Sequence, residues 1–224
     1  MKNEHHIVLG GSGAIGWAVI QELLRKNKNV SSVERSGKTN EVNTINADLL
    51  DINATHQAIK EATHVYLCIG LPYNSKVWQR DWPVRMANVI DACEKHEVKL
   101  IFFDNMYMYS DPLPNPFDEE TPQDPSSNKG KVRKEVAQML LEAHNQGRVR
   151  AAIGRSADFY GPYAVNSRYY IKYIENILLE KNPQFIGNPK AVHTYAYTED
   201  VANALVELAL DESSYGEVWH LPAG

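Results

Sequence analysis

The segment Ile7-Val8-Leu9-Gly10-Gly11-Ser12-Gly13-Ala14-Ile15-Gly16 decides the fold of this 224-residue chain. Its first three residues predict a short buried strand, and the glycines satisfy both the G-x-G-x-x-G and the G-x-x-G-x-x-G spacings. Gly10 or Gly11 makes the tight turn. Gly13 lets the backbone approach a pyrophosphate at a helix N-terminus, and Gly16 lets helix and strand pack closely. A plain turn between a strand and a helix does not need three glycines at this spacing. The residues predicted to bind a dinucleotide in this loop are Gly10, Ser12, Gly13, Ala14, Ile15 and Gly16.

Beyond the glycine loop, short apolar runs alternate with amphipathic segments. The predicted strands are residues 6–9, 30–33, 44–47, 64–69, 99–103 and 149–154. The predicted helices are residues 13–26, 82–96 and 131–146, with a last helix that opens at Thr198 and uses the threonine hydroxyl as its cap. This rhythm predicts an α/β fold, a Rossmann-type doubly wound parallel sheet.

The second half of the chain changes character twice. Residues 111–128 contain five prolines and many carboxylates, which predicts a long loop. After residue 154 the alternation loosens into an aromatic-rich helix over 167–181 and short strands at 185–187 and 191–195. We therefore predict a dinucleotide-binding domain over residues 1–155 and a small C-terminal substrate lobe over residues 156–224, with a returning helix and strand.

The composition excludes several classes of function. Lysine and arginine number 23 against 28 acidic residues, so the chain has a net charge of −5 and no basic excess that would suit a nucleic acid. The two cysteines and eight histidines show no metal-ligand spacing, so we expect no metal site. No apolar stretch approaches the roughly 18 residues of a membrane span, and no signal peptide is evident. These features predict a cytoplasmic protein that binds neither a nucleic acid nor a membrane.

The end of the second strand decides which dinucleotide binds. An acidic residue at this point binds the ribose hydroxyls of NAD, whereas an arginine pairs with the 2′-phosphate of NADP. Glu34 and Arg35 are adjacent, and because strand residues alternate between faces, only one of them faces the ribose. Ser36 and Lys38 add hydrogen-bond donors that suit a phosphate. The number of donors favours NADP(H), with NAD(H) as the alternative.

Six further motifs, in order along the chain, complete a pattern. They are Ala47-Asp48-Leu49, Tyr107-Met108-Tyr109, Glu120-Thr121-Pro122, Gly154-Arg155, Phe159-Tyr160-Gly161-Pro162 and Tyr197-Thr198-Glu199-Asp200-Val201-Ala202. With the glycine loop, they make nearly the whole chain resemble the extended short-chain dehydrogenase/reductase superfamily, in its NAD-dependent epimerase/dehydratase group. The resemblance implies hydride transfer at a carbonyl or hydroxyl carbon of a small polar molecule, and pairing of two copies through two helices each.

The resemblance also assigns positions along the cofactor. It implies that Asp48 and Leu49 border the adenine, that Ile69 and Gly70 line the cofactor, and that Phe159 lies near the nicotinamide.

The chain departs from this family at the catalytic residues. Members usually have a serine or threonine after the fifth strand and a Tyr-x-x-x-Lys motif on the next helix, but no tyrosine here has a lysine four residues later. Alignment on the resemblance puts Asn105 at the serine position, Lys129 at the tyrosine position and Arg133 at the lysine position. An alternative register pairs Ser127 with Lys131 instead.

Three roles for Lys129 follow. It carries the proton itself, it clamps a ribose or phosphate, or it is a solvated charge and Tyr107 or Tyr109 supplies the proton. Two classes of function also remain open. One is an NAD(P)-dependent reductase, epimerase or dehydratase, and the other is a cofactor-binding regulator or redox sensor without turnover.

Overall fold

Nine strands and six α-helices form the chain in a computed structural model, which describes residues 3–36, 41–110, 112–167, 170–184, 188, 190 and 192–223. The strands are β1 His6–Leu9, β2 Val30–Glu34, β3 Asn43–Asn46, β4 His64–Leu67, β5 Lys99–Asp104, β6 Ala151–Arg155, β7 Asp158–Tyr160, β8 Tyr195–Tyr197 and β9 Val218–His220. The helices are α1 Ala14–Arg25, α2 Ile52–Ile59, α3 Ser75–His96, α4 Asn128–Asn145, α5 Glu175–Leu178 and α6 Thr198–Leu210.

Seven of the strands make one parallel sheet in the order β3-β2-β1-β4-β5-β6-β9. The strand order reverses between β1 and β4, and ligands of open α/β sheets bind at such a switch point, beyond the carboxyl ends of the strands. The predicted Rossmann-type doubly wound sheet is confirmed. The strands β7 and β8 pair separately as a small parallel ribbon.

The core lies on both faces of the main sheet. Because successive strand residues point to opposite faces, Leu9 of β1 packs with Trp82 of α3, whereas Val8 packs with Leu205 of α6. Helices α2, α3 and α4 cover the first face, and α1 and α6 cover the second. Strands that are covered on both faces favour continuous apolar runs, and such runs made most strands of the main sheet recognisable in the sequence.

Several helix boundaries differ from the prediction because polar caps extend the helices. The predicted pattern missed α2, whose N-cap Asp51 accepts hydrogen bonds from two backbone N–H groups. Helix α3 begins at Ser75 rather than residue 82 because Asn74 caps it, and it continues through Pro83. Ser127 caps α4 and starts it at Asn128.

Thr198 does not cap the last helix, so that expectation is wrong. Tyr197 occupies the N-cap position and provides no side-chain hydrogen bond, and Thr198 is the first helical residue. The Oγ1 atom of Thr198 is buried without a hydrogen-bond partner among the described residues. It lies against Gly161, where the Cβ of any larger residue would come within 2.2 Å of this oxygen.

The C-terminal part divides between two locations. Helix α6 packs on α1, and β9 pairs with β6 at the edge of the main sheet. Residues 185–187, expected as a strand, lie outside the described residues, as does residue 191. The strand expected at 191–195 is wrong in its bounds, because β8 begins only at Tyr195 and continues to Tyr197. Of the helix expected over 167–181, residues 168 and 169 lie outside the described residues, and the rest forms a π-helical turn, Tyr170–Ile174, followed by α5, which ends at Leu178. None of the helices in the described part of the chain is both long and apolar enough to cross a membrane.

Candidate functional site

The glycine loop between β1 and α1 is built on backbone contacts that exclude side chains. Gly10 has a φ of +92°, so it is the residue that makes the tight turn. A Cβ at Gly16 would lie 2.1 Å from the carbonyl oxygen of Gly10, so only glycine allows this approach of helix and strand. At Gly13 a Cβ would meet only that oxygen, at an ordinary 3.4 Å. The fold itself therefore does not require glycine at position 13.

The N-terminus of α1 faces this loop. Gly13 is the N-cap and has no side chain to accept from the first helical N–H groups. These groups, from Ala14, Ile15 and Gly16, have no partners within the helix itself. The helix dipole adds a partial positive charge at the same place. The loop therefore has the backbone donors and the open space that a pyrophosphate requires.

Glu34, at the end of β2, faces the glycine loop. Its side chain is buried, and its carboxylate accepts hydrogen bonds from Ser12 N at 2.8 Å, Ser12 Oγ at 2.6 Å and Ser32 Oγ at 2.6 Å. Arg35 and Ser36, both predicted as donors to a phosphate, are exposed to solvent. Lys38, the third predicted donor, lies outside the described residues.

The remaining predicted cofactor residues follow β3, β4 and β6. Asp48 Oδ1 pairs with Arg85 at 2.7 Å. Burial raises the pKa of this carboxyl, but the Leu50 N–H and Arg85 together bring the pKa below its usual value.

The four other predicted residues differ in burial. Leu49 is a core residue, and Ile69 packs against Gly10. The other two are Gly70, which has open space around it, and Phe159 of β7, which packs edge-on against Phe103.

Lys129 and Tyr107 line one open pocket of about 400 Å³ beyond the carboxyl ends of β4 and β5. The other lining residues are Tyr73, Ser75, Ser127 and Asn128. The Lys129 ammonium lies over the ring of Tyr73 and 5.7 Å from the ring centre of Trp78. The lining therefore consists of hydroxyl groups, one amide and one ammonium group, without a carboxylate.

Arg133, predicted beside Lys129, does not line this pocket. Its guanidinium is buried, with Nε 2.7 Å and Nη2 2.5 Å from Asp104 Oδ1. It packs against the rings of Trp82 and Phe102, 4.3 and 4.7 Å from their centres. Arg133 is thus held by contacts within the protein. Ser127 Oγ accepts from Gly130 N at 3.0 Å and caps α4, and Lys131 of the alternative register is exposed.

Asp104 is the centre of a buried polar cluster. Besides Arg133, it approaches Arg155 Nε at 3.5 Å and accepts from Asn105 N at 2.8 Å. The side-chain oxygen of Asn105 accepts from Tyr107 N at 3.0 Å, so Asn105 shapes the turn that carries Tyr107. The buried cluster therefore holds, through Asn105, the turn that places Tyr107 in the lining of the Lys129 pocket.

Arg155 extends the cluster to the last strand. Its Nη1 donates to Tyr109 Oη at 2.8 Å, and that hydroxyl is hydrogen-bonded to His220 Nε2 at 2.6 Å. Burial raises the pKa of Tyr109 and lowers the pKa of His220, which keeps both groups neutral. Sequence reasoning missed Arg155 and His220 as members of the cluster, because only the pairing of β6 with β5 and β9 brings them there.

Comparisons with known proteins agree with this architecture. The model of the NAD dependent epimerase/dehydratase family matches residues 6–220. A dTDP-glucose 4,6-dehydratase of Mycolicibacterium smegmatis is 24% identical, with 92% of this chain and 68% of the relative covered. A putative UDP-glucose 4-epimerase of Methanocaldococcus jannaschii is 25% identical, with 88% and 71% covered.

A solved structure has the same fold. UDP-glucose 4-epimerase of Thermus thermophilus, in complex with NAD, matches with a TM-score of 0.82 at 19% identity, covering 98% of this chain and 79% of that one. The enzyme family expected from the sequence motifs is confirmed by the family model, which spans nearly the whole chain. The chain belongs to the NAD dependent epimerase/dehydratase family.

Proposed function

We propose that this chain binds NAD(H) along the glycine loop and uses Glu34 to select it over NADP(H). The observation that carries the proposal is the Glu34 carboxylate, which is buried beside the loop and bonded to Ser12. A carboxylate at this point accepts hydrogen bonds from ribose hydroxyls, and it repels a 2′-phosphate. This choice reverses the preference for NADP(H) expected from the donors Arg35, Ser36 and Lys38.

The residues of the loop fit such a cofactor. Gly13 leaves the space for a pyrophosphate, and the uncapped first turn of α1 provides its N–H donors. Asp48 follows β3 and Gly70 follows β4, so both lie at the carboxyl edge of the parallel sheet. The Thermus relative described above was solved with NAD.

Calorimetric titration with NAD⁺ and NADP⁺ tests the assignment of Glu34. We expect the chain to prefer NAD⁺, and Glu34→Gln to weaken NAD⁺ binding about tenfold, as expected when one charge-assisted hydrogen bond is lost. Arg35→Ala is the matched control, because it removes the neighbouring charge, and it is expected to leave the preference unchanged. A preference for NADP⁺ that disappears in Arg35→Ala would show that Arg35 reads the 2′-phosphate.

The pocket lined by Lys129 and Tyr107 suits a polar substrate. When bound, the nicotinamide supplies or accepts the hydride. We propose that Lys129 Nζ exchanges the proton of the substrate oxygen. Asn105, predicted to orient this oxygen, is not among the residues that line the pocket, and its side chain holds the turn before Tyr107. Tyr107 lines the same pocket, whereas Arg133 is committed to Asp104. Hydroxyl, amide and ammonium groups suit a sugar, and the named relatives take nucleotide-linked glucose.

Replacement of Lys129 tests its role. We expect Lys129→Met to lower kcat on the reactive member of a panel of nucleotide sugars by about 100-fold, the lower range for loss of an acid–base group. NAD⁺ affinity is expected to stay unchanged. The control is Lys131→Met, which removes an exposed lysine from the same helix. If turnover in Lys129→Met is unchanged, Lys129 does not carry the proton and Tyr107 becomes the candidate. If the native chain binds NAD⁺ but converts no member of the panel, the result favours a cofactor-binding regulator without turnover.

A further inference from the structure

A second group of potential ligands lies at the opposite end of β1 from the glycine loop. Glu4, His6 and His64 each offer one ligand atom, and the three atoms lie within 4.8 Å of one another. The two histidines begin β1 and β4 and are directly paired in the sheet, and both are buried. No spacing along the chain indicates this group, because strand pairing alone brings these histidines together.

A neighbouring hydroxyl holds one nitrogen of His64. Thr63 Oγ1 lies 2.9 Å from His64 Nδ1 and also bonds the carbonyl oxygen of His5 at 3.0 Å. With Nδ1 engaged in this way, Nε2 is the nitrogen of His64 that can bind a metal ion.

Both nitrogens of His6 are hydrogen-bonded. Its Nδ1 lies 3.0 Å from the hydroxyl of Tyr66, and its Nε2–H donates to Glu4 Oε1 at 3.0 Å, so metal binding at Nε2 requires this proton to move to Nδ1. Neutral imidazoles whose second nitrogen is held by a hydroxyl or a carbonyl are the usual form of a histidine metal ligand. Two such imidazoles and a carboxylate form a donor set that suits Zn²⁺, with water in the fourth position.

We propose that Glu4, His6 and His64 form a zinc-binding site that ties the segment before β1 to the first residue of β4. The ammonium of Lys28 bonds both carboxylate oxygens of Glu4, at 2.9 and 3.1 Å, and therefore competes with the metal ion. The two imidazoles stack with ring centres 4.6 Å apart and planes 8° apart, so they tilt toward each other when they bind one ion. The positive charges of Lys28 and Lys99, with His5 beside the site, oppose the ion. These costs predict a modest affinity.

Zinc titration of the tag-free full chain tests this proposal. We expect one Zn²⁺ per chain by calorimetry at pH 7.5, together with shifts of the Nε2 resonances of His6 and His64 in long-range ¹H–¹⁵N spectra. His64→Gln is expected to lower the affinity by at least about 100-fold, the upper range for loss of a supporting residue. Lys28→Met is expected to raise the affinity about tenfold, because it removes the competing charge.

A second histidine cluster provides the matched control. His56 lies 2.8 Å from Asp91 Oδ2 and 3.3 Å from His96 Nε2, so it offers the same donor types elsewhere on the surface. His56→Gln is expected to leave zinc binding unchanged. Binding that is lost in His56→Gln but kept in His64→Gln overturns the proposal, and so does the absence of binding in both the native chain and Lys28→Met. If His64→Gln does not fold, Glu4→Gln removes a ligand that is partly exposed and outside the core. The readouts need no cofactor, so they are independent of the proposed function.

Discussion

Asp104→Ala is expected to destabilise the protein by about 3–5 kcal/mol, the range measured when one partner of a buried ion pair is removed. The Asp104 side chain is fully buried and faces the guanidinium groups of Arg133 and Arg155, which are buried as well. Without the carboxylate, both positive charges remain in the core with no counter-charge. Urea unfolding followed by circular dichroism measures the loss.

An exposed ion pair of the same kind is the control for Asp104→Ala. Arg148 and Glu94 pair on the surface, where their side chains are 41% and 40% exposed. Solvent screens such a pair, so Glu94→Ala is expected to cost less than about 1 kcal/mol. Equal effects of the two substitutions would mean that the buried cluster contributes no more than a surface contact.

Gly16→Ala is expected to abolish NAD⁺ binding, with at least about a 100-fold loss of affinity, and to destabilise the fold by about 3 kcal/mol, the upper range for overpacking. The new methyl group would lie 2.1 Å from the Gly10 carbonyl oxygen and 2.8 Å from Gly11 Cα. Both are backbone atoms, so the loop and α1 must separate to admit it. Calorimetry with NAD⁺ and urea unfolding measure the two effects.

Gly13→Ala separates binding from folding in the same loop. Its methyl group would meet only the Gly10 carbonyl oxygen, at 3.4 Å, and the backbone angles of Gly13 suit alanine. We expect stability close to that of the native chain and weaker NAD⁺ binding, because the methyl group fills the space of the pyrophosphate. Unchanged NAD⁺ affinity in Gly13→Ala would place the cofactor elsewhere.

The fold was predictable because its signals are local. Strands covered on both faces need uninterrupted apolar residues, and the glycine loop joins the first of them to an amphipathic helix within a few positions. Helix α2 was missed because it is short and only its cap, Asp51, identifies it. Thr198 was misassigned because a threonine before acidic residues looks the same at the N-cap and one residue later.

The site was less predictable because it depends on burial and long-range contacts. Alternation along β2 indicates that the side chains of Glu34 and Arg35 point to opposite faces of the sheet. The sequence does not indicate which of the two faces the glycine loop. Similarly, the position of Arg133 on α4 suggested a neighbour of Lys129, whereas the aromatic rings of Trp82 and Phe102 and the Asp104 carboxylate hold it in the core.

The arrangement of charges around two indole rings of α3 has a practical use. Trp82 has the Arg133 guanidinium 4.3 Å from its ring centre, and Trp78 has the Lys129 ammonium at 5.7 Å. Fluorescence emission from an indole responds to a nearby charge, so these rings are intrinsic optical reporters of two separate events. The two rings lie 6.4 Å apart, so each is observed with the other ring, Trp17 and Trp219 replaced by phenylalanine. Trp78 emission then reports occupancy of the pocket, and Trp82 emission reports opening of the core.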